Sequence, residues 1–272
     1  MSRLALGIVG FGKLGEAIAL GLLGAGQLRR EQIAGTTRSE RSAEAARQRT
    51  GLAIDTDTPA LVERADTLLL TVKPHGLPEV LESVRDRLRP DQLLVSACAS
   101  VRTAAIEQAL GRPQPVVRCM PNTPVLVGEG MTVLAAGAHA NAEHLRTAER
   151  IFSAVGRTIV LDERHMDSVT GMSGSGPAYI YLVIESLAEA GVKLGIPREP
   201  ATLLAAQTVL GAARMVLELG EHPALLKDVV TTPAGCTVDG LLELEEGKLR
   251  VTLIKAVVKA AERARELGRD AL

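Results

Sequence analysis

The chain has 272 residues, 46% of them hydrophobic, but only two Phe, two Tyr and no Trp. It is long enough for a substantial core, which must be built from Ala, Leu, Val and Ile. The lack of rings argues against base stacking, and a net charge of −1, from 31 basic and 32 acidic residues, lacks the basic footprint of a nucleic-acid binder.

Residues 4–9 (LALGIV) form a short apolar run, followed by a Gly-rich turn and a helical pattern over 13–25. Further strand-like runs fall at 32–36, 67–72, 92–96, 115–119, 131–135 and 157–161. Helical patterns at 40–49, 77–87, 102–110 and 141–154 lie among them. Short apolar runs alternating with helices predict an α/β fold, a parallel sheet covered on both faces. The rhythm changes near 162. Residues 177–194, 198–219, 238–246 and 249–267 all read as helices, several of them apolar on more than one face. Such helices must be buried, and those of 165–272 have little interior of their own, so they are expected to pack against a second copy. The division is therefore 1–162, a dinucleotide-binding domain, and 163–272, a helical dimerisation and substrate domain.

The opening run MSRLALGIVGFG is broken by glycines and then by Lys13 and Glu16, unlike a signal peptide. No run is expected to reach the ~18–20 apolar residues of a membrane span. Cys98, Cys119 and Cys236 are far apart, without metal or disulfide spacing, which fits a reducing cytoplasm.

Gly10-Phe11-Gly12-Lys13-Leu14-Gly15 is a G-x-G-x-x-G between a strand and a helix, the context a dinucleotide-binding turn requires. The first glycine makes the tight turn, the second admits a pyrophosphate, and the third lets the helix pack close. An NAD binder usually carries an acid about 20 residues further on. Here the strand end reads Thr37-Arg38-Ser39, a cation with hydroxyls, which favours the 2′-phosphate of NADPH over NADH. Glu40 and Arg41 read as the solvated first turn of the next helix. Val72-Lys73-Pro74 follows the strand at 67–72, where ligands bind in open sheets; Lys73 reads equally well as a surface lysine. Ala97-Cys98-Ala99 are small enough for a nicotinamide-facing loop, although small residues are also ordinary at strand ends. None of the five His pairs with a nucleophile or a metal cluster.

Two later stretches are more particular: Arg118-Cys119-Met120-Pro121-Asn122-Thr123-Pro124, and Ser173-Gly174-Ser175-Gly176-Pro177-Ala178-Tyr179. With GFGKLG at the start, TVKP at 71–74 and LKDVVTTP at 226–233, their order along the whole chain resembles the pyrroline-5-carboxylate reductase family. The resemblance implies a Rossmann-type domain followed by an all-α dimerisation domain, in which helices of two subunits interlace and dimers assemble further. It implies reduction of the cyclic imine 1-pyrroline-5-carboxylate to L-proline by NADPH, with NADH possible. For the cofactor it carries over Gly10–Gly15, Thr37–Ser39, Thr58, Val72–Pro74 and Ala97–Ala99, with Asn122 and Glu163. For the substrate it carries over Thr232, Gly235, Cys236 and Thr237, with Thr237 closest to the chemistry.

A protonated imine is already a good electrophile, so such a site needs positioning more than a strong nucleophile. The loop TTPAGCT (231–237) reads as a helix start whose 235–237 N–H groups hold a carboxylate. Thr237 would reach the ring nitrogen while capping that helix. Ala234 stands where the family has glycine, so that position needs no positive φ. Cys236 reads as a small buried filler, or else as a redox-sensitive thiol. Ser173 and Ser175 read as caps of the Pro177 helix. A rival is the β-hydroxyacid dehydrogenase pattern G-x-x-G-x-G-x-x-x-K; Gly171, Gly174 and Gly176 match it, but Ile180 stands where its lysine belongs. A second rival is a non-enzymatic NADPH sensor, which would need no anion pocket at 231–237.

Overall fold

The computed structural model describes residues 3–233 and 235–269, so the expectation for Ala234 lies outside the described residues. The first half runs β1 (Leu4–Val9), α1 (Lys13–Gly24), β2 (Ile33–Thr36), α2 (Glu40–Thr50), β3 (Ala53–Asp55), α3 (Thr58–Arg64), β4 (Ala65–Leu70), α4 (Leu77–Val84), β5 (Leu93–Ser96) and α5 (Thr103–Leu110). It continues through β6 (Val116–Met120), β7 (Gly130–Ala136), α6 (Ala142–Ser153) and β8 (Gly156–Val160). The eight strands form one sheet in the order β3-β2-β1-β4-β5-β6-β7-β8. Strand order reverses between β1 and β4, so the loops leaving their carboxyl ends diverge and open the crevice where such sheets bind ligands.

Both faces are covered. Ile18, Ala19 and Leu22 of α1, Ala43 and Ala46 of α2, and Ile151 and Phe152 of α6 pack on one face with Leu6 and Ile8. Leu61 and Val62 of α3, Leu77, Leu81 and Val84 of α4, and Ile106 of α5 pack on the other with Leu4 and Val9. The sheet is not wholly parallel, contrary to expectation: β6 and β7 pair antiparallel. Their link, 121–129, falls short of the ~12 residues that a parallel crossover needs. The sequence pattern also does not predict the strand β3 or the helix α3. Only Ile54 of β3 is buried, which leaves little hydrophobic signal. The start of α3 is written locally: the Asp57 side chain accepts from Ala60 N at 3.0 Å, and proline follows at the second helical position.

The second half runs α7 (Met166–Val169), α8 (Gly176–Lys193), α9 (Arg198–Leu219), α10 (Pro223–Val230), α11 (Cys236–Glu246) and α12 (Leu249–Arg269). Contacts group the described residues of Met1–Ser175 with those of Val258–Leu272, and Gly176–Val257 separately. This differs from a division at 162/163, for two packing reasons. Met166 and Val169 lie against Val133 and Ala135 of β7, and the Ser100 hydroxyl donates to Ala264 O of α12 at 3.2 Å. Between α7 and α8 the chain makes a π-helical turn, Thr170–Gly174. The Ser173 hydroxyl donates back to Val169 O at 3.2 Å, so Ser173 is part of that turn and not a cap of α8.

The unit Gly176–Val257 has a thin interior, in which Ala188, Ala201 and Ala205 pack with Ile184 and Val192. Its large side chains face outward: Leu203 is 69% exposed, Leu204 57% and Val229 71%. Contrary to expectation, α9 is long and apolar enough to cross a membrane by length and composition, with only 6% of its apolar window buried within the single chain.

Candidate active site

The loop after β1 is built to cradle an anion. Gly10 has φ +86, and a Cβ there would stand 2.9 Å from Val72 N and 2.6 Å from Val72 Cγ1. The backbone of one loop thus passes directly against the other, and the Thr71 hydroxyl clamps them by donating to Gly10 O at 2.9 Å. A Cβ at Gly15 would meet Ile8 Cγ2 at 2.8 Å, so this glycine sets the approach of α1 to β1. Gly12 differs from both. Its Cβ direction is open, the nearest atom being Gly10 O at 3.8 Å. Gly12 is also the N-cap of α1 and offers no side-chain acceptor. The first N–H groups of α1 therefore receive no side-chain cap, and the space beside Gly12 is open, which suits a pyrophosphate. The residues present fit a dinucleotide.

At the end of β2, Thr37 N donates to Asp55 O at 2.9 Å and the Thr37 hydroxyl donates to Ser39 O at 3.0 Å. Ser39 is the N-cap of α2, accepting from Ser42 N at 3.4 Å. Glu40 and Arg41 lie in the first turn of α2, as expected. This scaffold presents Arg38, which is exposed and has no ion pair or hydrogen bond among the described residues. The nearby acid, Asp55, accepts from Thr56 N at 2.6 Å within its own turn. Thr58 pairs its hydroxyl with that of Thr36 at 3.0 Å, just behind the strand end. Lys73 is exposed and precedes a single turn of tight helix, Pro74–Gly76.

After β5, Ala97 and Ala99 have accessible surface, but Cys98 is buried and its thiol donates to Val72 O at 3.3 Å. Burial pushes the Cys98 thiol up to about 11, and burial also holds Cys119 well above the ordinary thiol value. Neither is a thiolate at neutral pH. Cys98 lends the loop its small size and backbone, not its sulfur.

Asn122 and Glu163 have their polar atoms engaged within the protein. Asn122 accepts from Met131 N at 2.8 Å and donates to Ser173 O at 3.1 Å. Glu163 accepts from Thr103 N at 2.8 Å through one carboxylate oxygen and from the Thr103 hydroxyl at 2.7 Å through the other. Arg118 Nη1 lies 3.3 Å from the same carboxylate. In the sequence Arg118 stands out only as part of the RCMPNTP motif. Its position within the otherwise apolar run VVRCM is the available signal.

The loop 231–237 belongs to the helical unit. Gly235 is the N-cap of α11, with no side-chain acceptor. A Cβ there would run into Thr232 Oγ1 and stand 3.0 Å from Thr232 O, so the turn packs closely around glycine. Gly235 N donates to Thr232 O at 3.0 Å, and Val238 N donates to Gly235 O at 3.1 Å. Of the three N–H groups expected to be available at 235–237, only those of Cys236 and Thr237 remain without a partner among the described residues. Thr237 is the second residue of α11 and does not cap it. Its hydroxyl, like that of Thr232, has no protein partner among the described residues. Cys236 is exposed in the chain and is not a buried filler. No cluster of three or more His, Cys, Asp or Glu suited to a metal ion occurs among the described residues.

Residues 163–267 match the family model for pyrroline-5-carboxylate reductase dimerisation, and residues 5–100 match that for NADP oxidoreductase, coenzyme F420-dependent. A pyrroline-5-carboxylate reductase of Methanosarcina acetivorans is 42% identical over 99% of this chain and 100% of its own length. The solved pyrroline-5-carboxylate reductase of Coxiella burnetii superposes with a TM-score of 0.91 at 37% identity, covering 98% of this chain and 99% of the other. That of Plasmodium falciparum, solved with NADP bound, gives 0.87 at 33% identity, covering 98% and 99%. The outward-facing helices thus lie within a region that matches a self-association domain, which accounts for their apolar surface. With identity of this extent along nearly all of both sequences, the chain belongs to the pyrroline-5-carboxylate reductase family.

Proposed function

We propose that this chain reduces 1-pyrroline-5-carboxylate to L-proline, the last step of proline synthesis, with NADPH preferred over NADH. Family membership supports the reaction. The observation that carries the cofactor preference is the unpaired Arg38 guanidinium, presented with Thr37 and Ser39 where an NAD binder would carry an acid.

The cofactor would lie along Gly10–Gly15, Thr37–Ser39, Thr58, Val72–Pro74 and Ala97–Ala99. When bound, its nicotinamide supplies the hydride. The chain's own residues bind, orient and hold. The free N–H groups of Cys236 and Thr237, at the start of α11, would receive the substrate carboxylate. The Thr237 hydroxyl would hydrogen-bond at the ring nitrogen, which keeps its proton as the adjacent carbon accepts hydride and C=N becomes C–N. No acid with an altered pKa is needed, because the protonated imine brings its own proton. Much of the rate enhancement then comes from orientation. The same reading makes the protein a cytoplasmic dimer or dimer-based higher oligomer that requires no metal, nucleic acid or membrane.

Oxidation of NADPH that depends on added pyrroline-5-carboxylate is the direct test; oxidation indifferent to the imine would overturn the assignment. Thr237→Ala should lower kcat or raise the KM for the imine about tenfold, the value of one well-placed hydrogen bond. The Kd for NADPH should not change. Parent kinetics in this variant would remove Thr237 from the site.

A further inference from the structure

We infer that Glu163 acts on the reaction as a positioning residue, not as a cofactor contact. It holds the loop after β5 in place through Thr103, and buried Arg118 holds it in turn. The inference rests on the reductase reading and deepens it.

Thr103 is the first residue of α5, and the N-cap position, Arg102, provides no side-chain acceptor. The Glu163 carboxylate, 60 residues away in sequence, takes that role, accepting both the Thr103 N–H and the Thr103 hydroxyl. A carboxylate at a helix N-terminus is favoured by both the unmet donors and the helix dipole. Glu163 is oriented in turn by Arg118, which is 3% exposed on β6 and paired in register with Ser96, the last residue of β5. The second Arg118 nitrogen, Nη2, lies 3.9 Å from Asp167 Oδ1 and makes no hydrogen bond among the described residues. A buried guanidinium with one unmet nitrogen is costly to keep. Replacing a buried ion pair by well-packed apolar side chains is often neutral or stabilising, so stability alone is a weak reason for this one.

The segment held in this way is 97–102, which includes the small residues assigned to the nicotinamide end. It is bounded by β5 on one side and by Thr103 on the other. Ser100 within it has φ +64, an uncommon conformation for a residue with a side chain. The Ser100 hydroxyl is tied to Ala264 O. Two side-chain anchors and one left-handed residue thus define a short loop at the carboxyl edge of the sheet, where small displacements are expensive for hydride transfer.

The test uses full-length protein and the single-turnover rate of NADPH oxidation at saturating imine. Thr103→Val retains shape and removes one leg of the clamp; Thr103→Ser retains the hydroxyl; Glu163→Gln retains an acceptor and removes the charge. We expect Thr103→Val and Glu163→Gln to slow the single-turnover step about tenfold, with the Kd for NADPH within twofold and Thr103→Ser restored to the parent rate. A parent single-turnover rate in both slow candidates would overturn the inference, whatever happens to their melting temperatures. A loss confined to NADPH affinity would also overturn it and return Glu163 to the cofactor contacts. An inactive parent would instead refute the reductase reading, so the two failures are distinct. Arg118→Met risks misfolding and is not required for the decision.

Discussion

Arg38→Ala raises the KM for NADPH about thirty- to hundred-fold and leaves that for NADH within about twofold. The magnitude is that of one charge-assisted pair to a phosphate, about 2–3 kcal/mol. The selectivity follows from what surrounds the residue. Arg38 has no protein partner among the described residues to relax onto. Thr37 and Ser39 are already engaged in shaping the strand end and capping α2. Deleting the guanidinium would therefore remove the proposed phosphate contact without unravelling the turn. NADH offers a ribose hydroxyl at the same place and gains nothing from Arg38, so its KM has no reason to rise. Steady-state kinetics with both cofactors, parent beside variant, decides it. Equal losses for both would mean that Arg38 supports the fold of the turn, not the phosphate.

Much of the first unit was legible because its signals are local. GFGKLG between an apolar run and a helix is a self-contained instruction, and the structure explains each of its glycines by φ, open space or contact with Ile8. What sequence reading missed had weak local signals or distant partners. Ile54 alone marks β3, and a single buried residue gives no periodicity. The antiparallel β6–β7 pair depends on a link length that becomes meaningful only once both strands are placed. The Arg118–Glu163–Thr103 cluster joins residues from three separate parts of the chain, and no spacing rule links them. The loop 231–237 is the helix start that its sequence predicts, but it offers two donors where the sequence suggests three. Gly235 closes its own turn onto Thr232 O, which leaves two N–H groups for a ligand. That narrowing bears on function, because two adjacent donors suit one carboxylate.

The helical unit is where changing two side chains should have the largest consequence. Leu203→Glu combined with Leu204→Glu converts the parent oligomer into a monomer by light scattering at micromolar concentration, and imine-dependent turnover falls below detection. Both side chains are more than half exposed in the single chain, on a helix almost none of whose apolar window is buried. Fully burying each leucine is worth about 1.5–3 kcal/mol. An unpaired carboxylate in the same environment costs several more. In a two-fold interface every change occurs twice, so the double variant brings four charges into the contact. The first unit has its own core on both faces of the sheet, so NADPH binding measured by fluorescence titration should survive in the monomer. That contrast separates lost assembly from lost folding. A variant that remains a full-activity oligomer would place α9 outside the subunit contact, and the apolar length of this helix would then need another explanation.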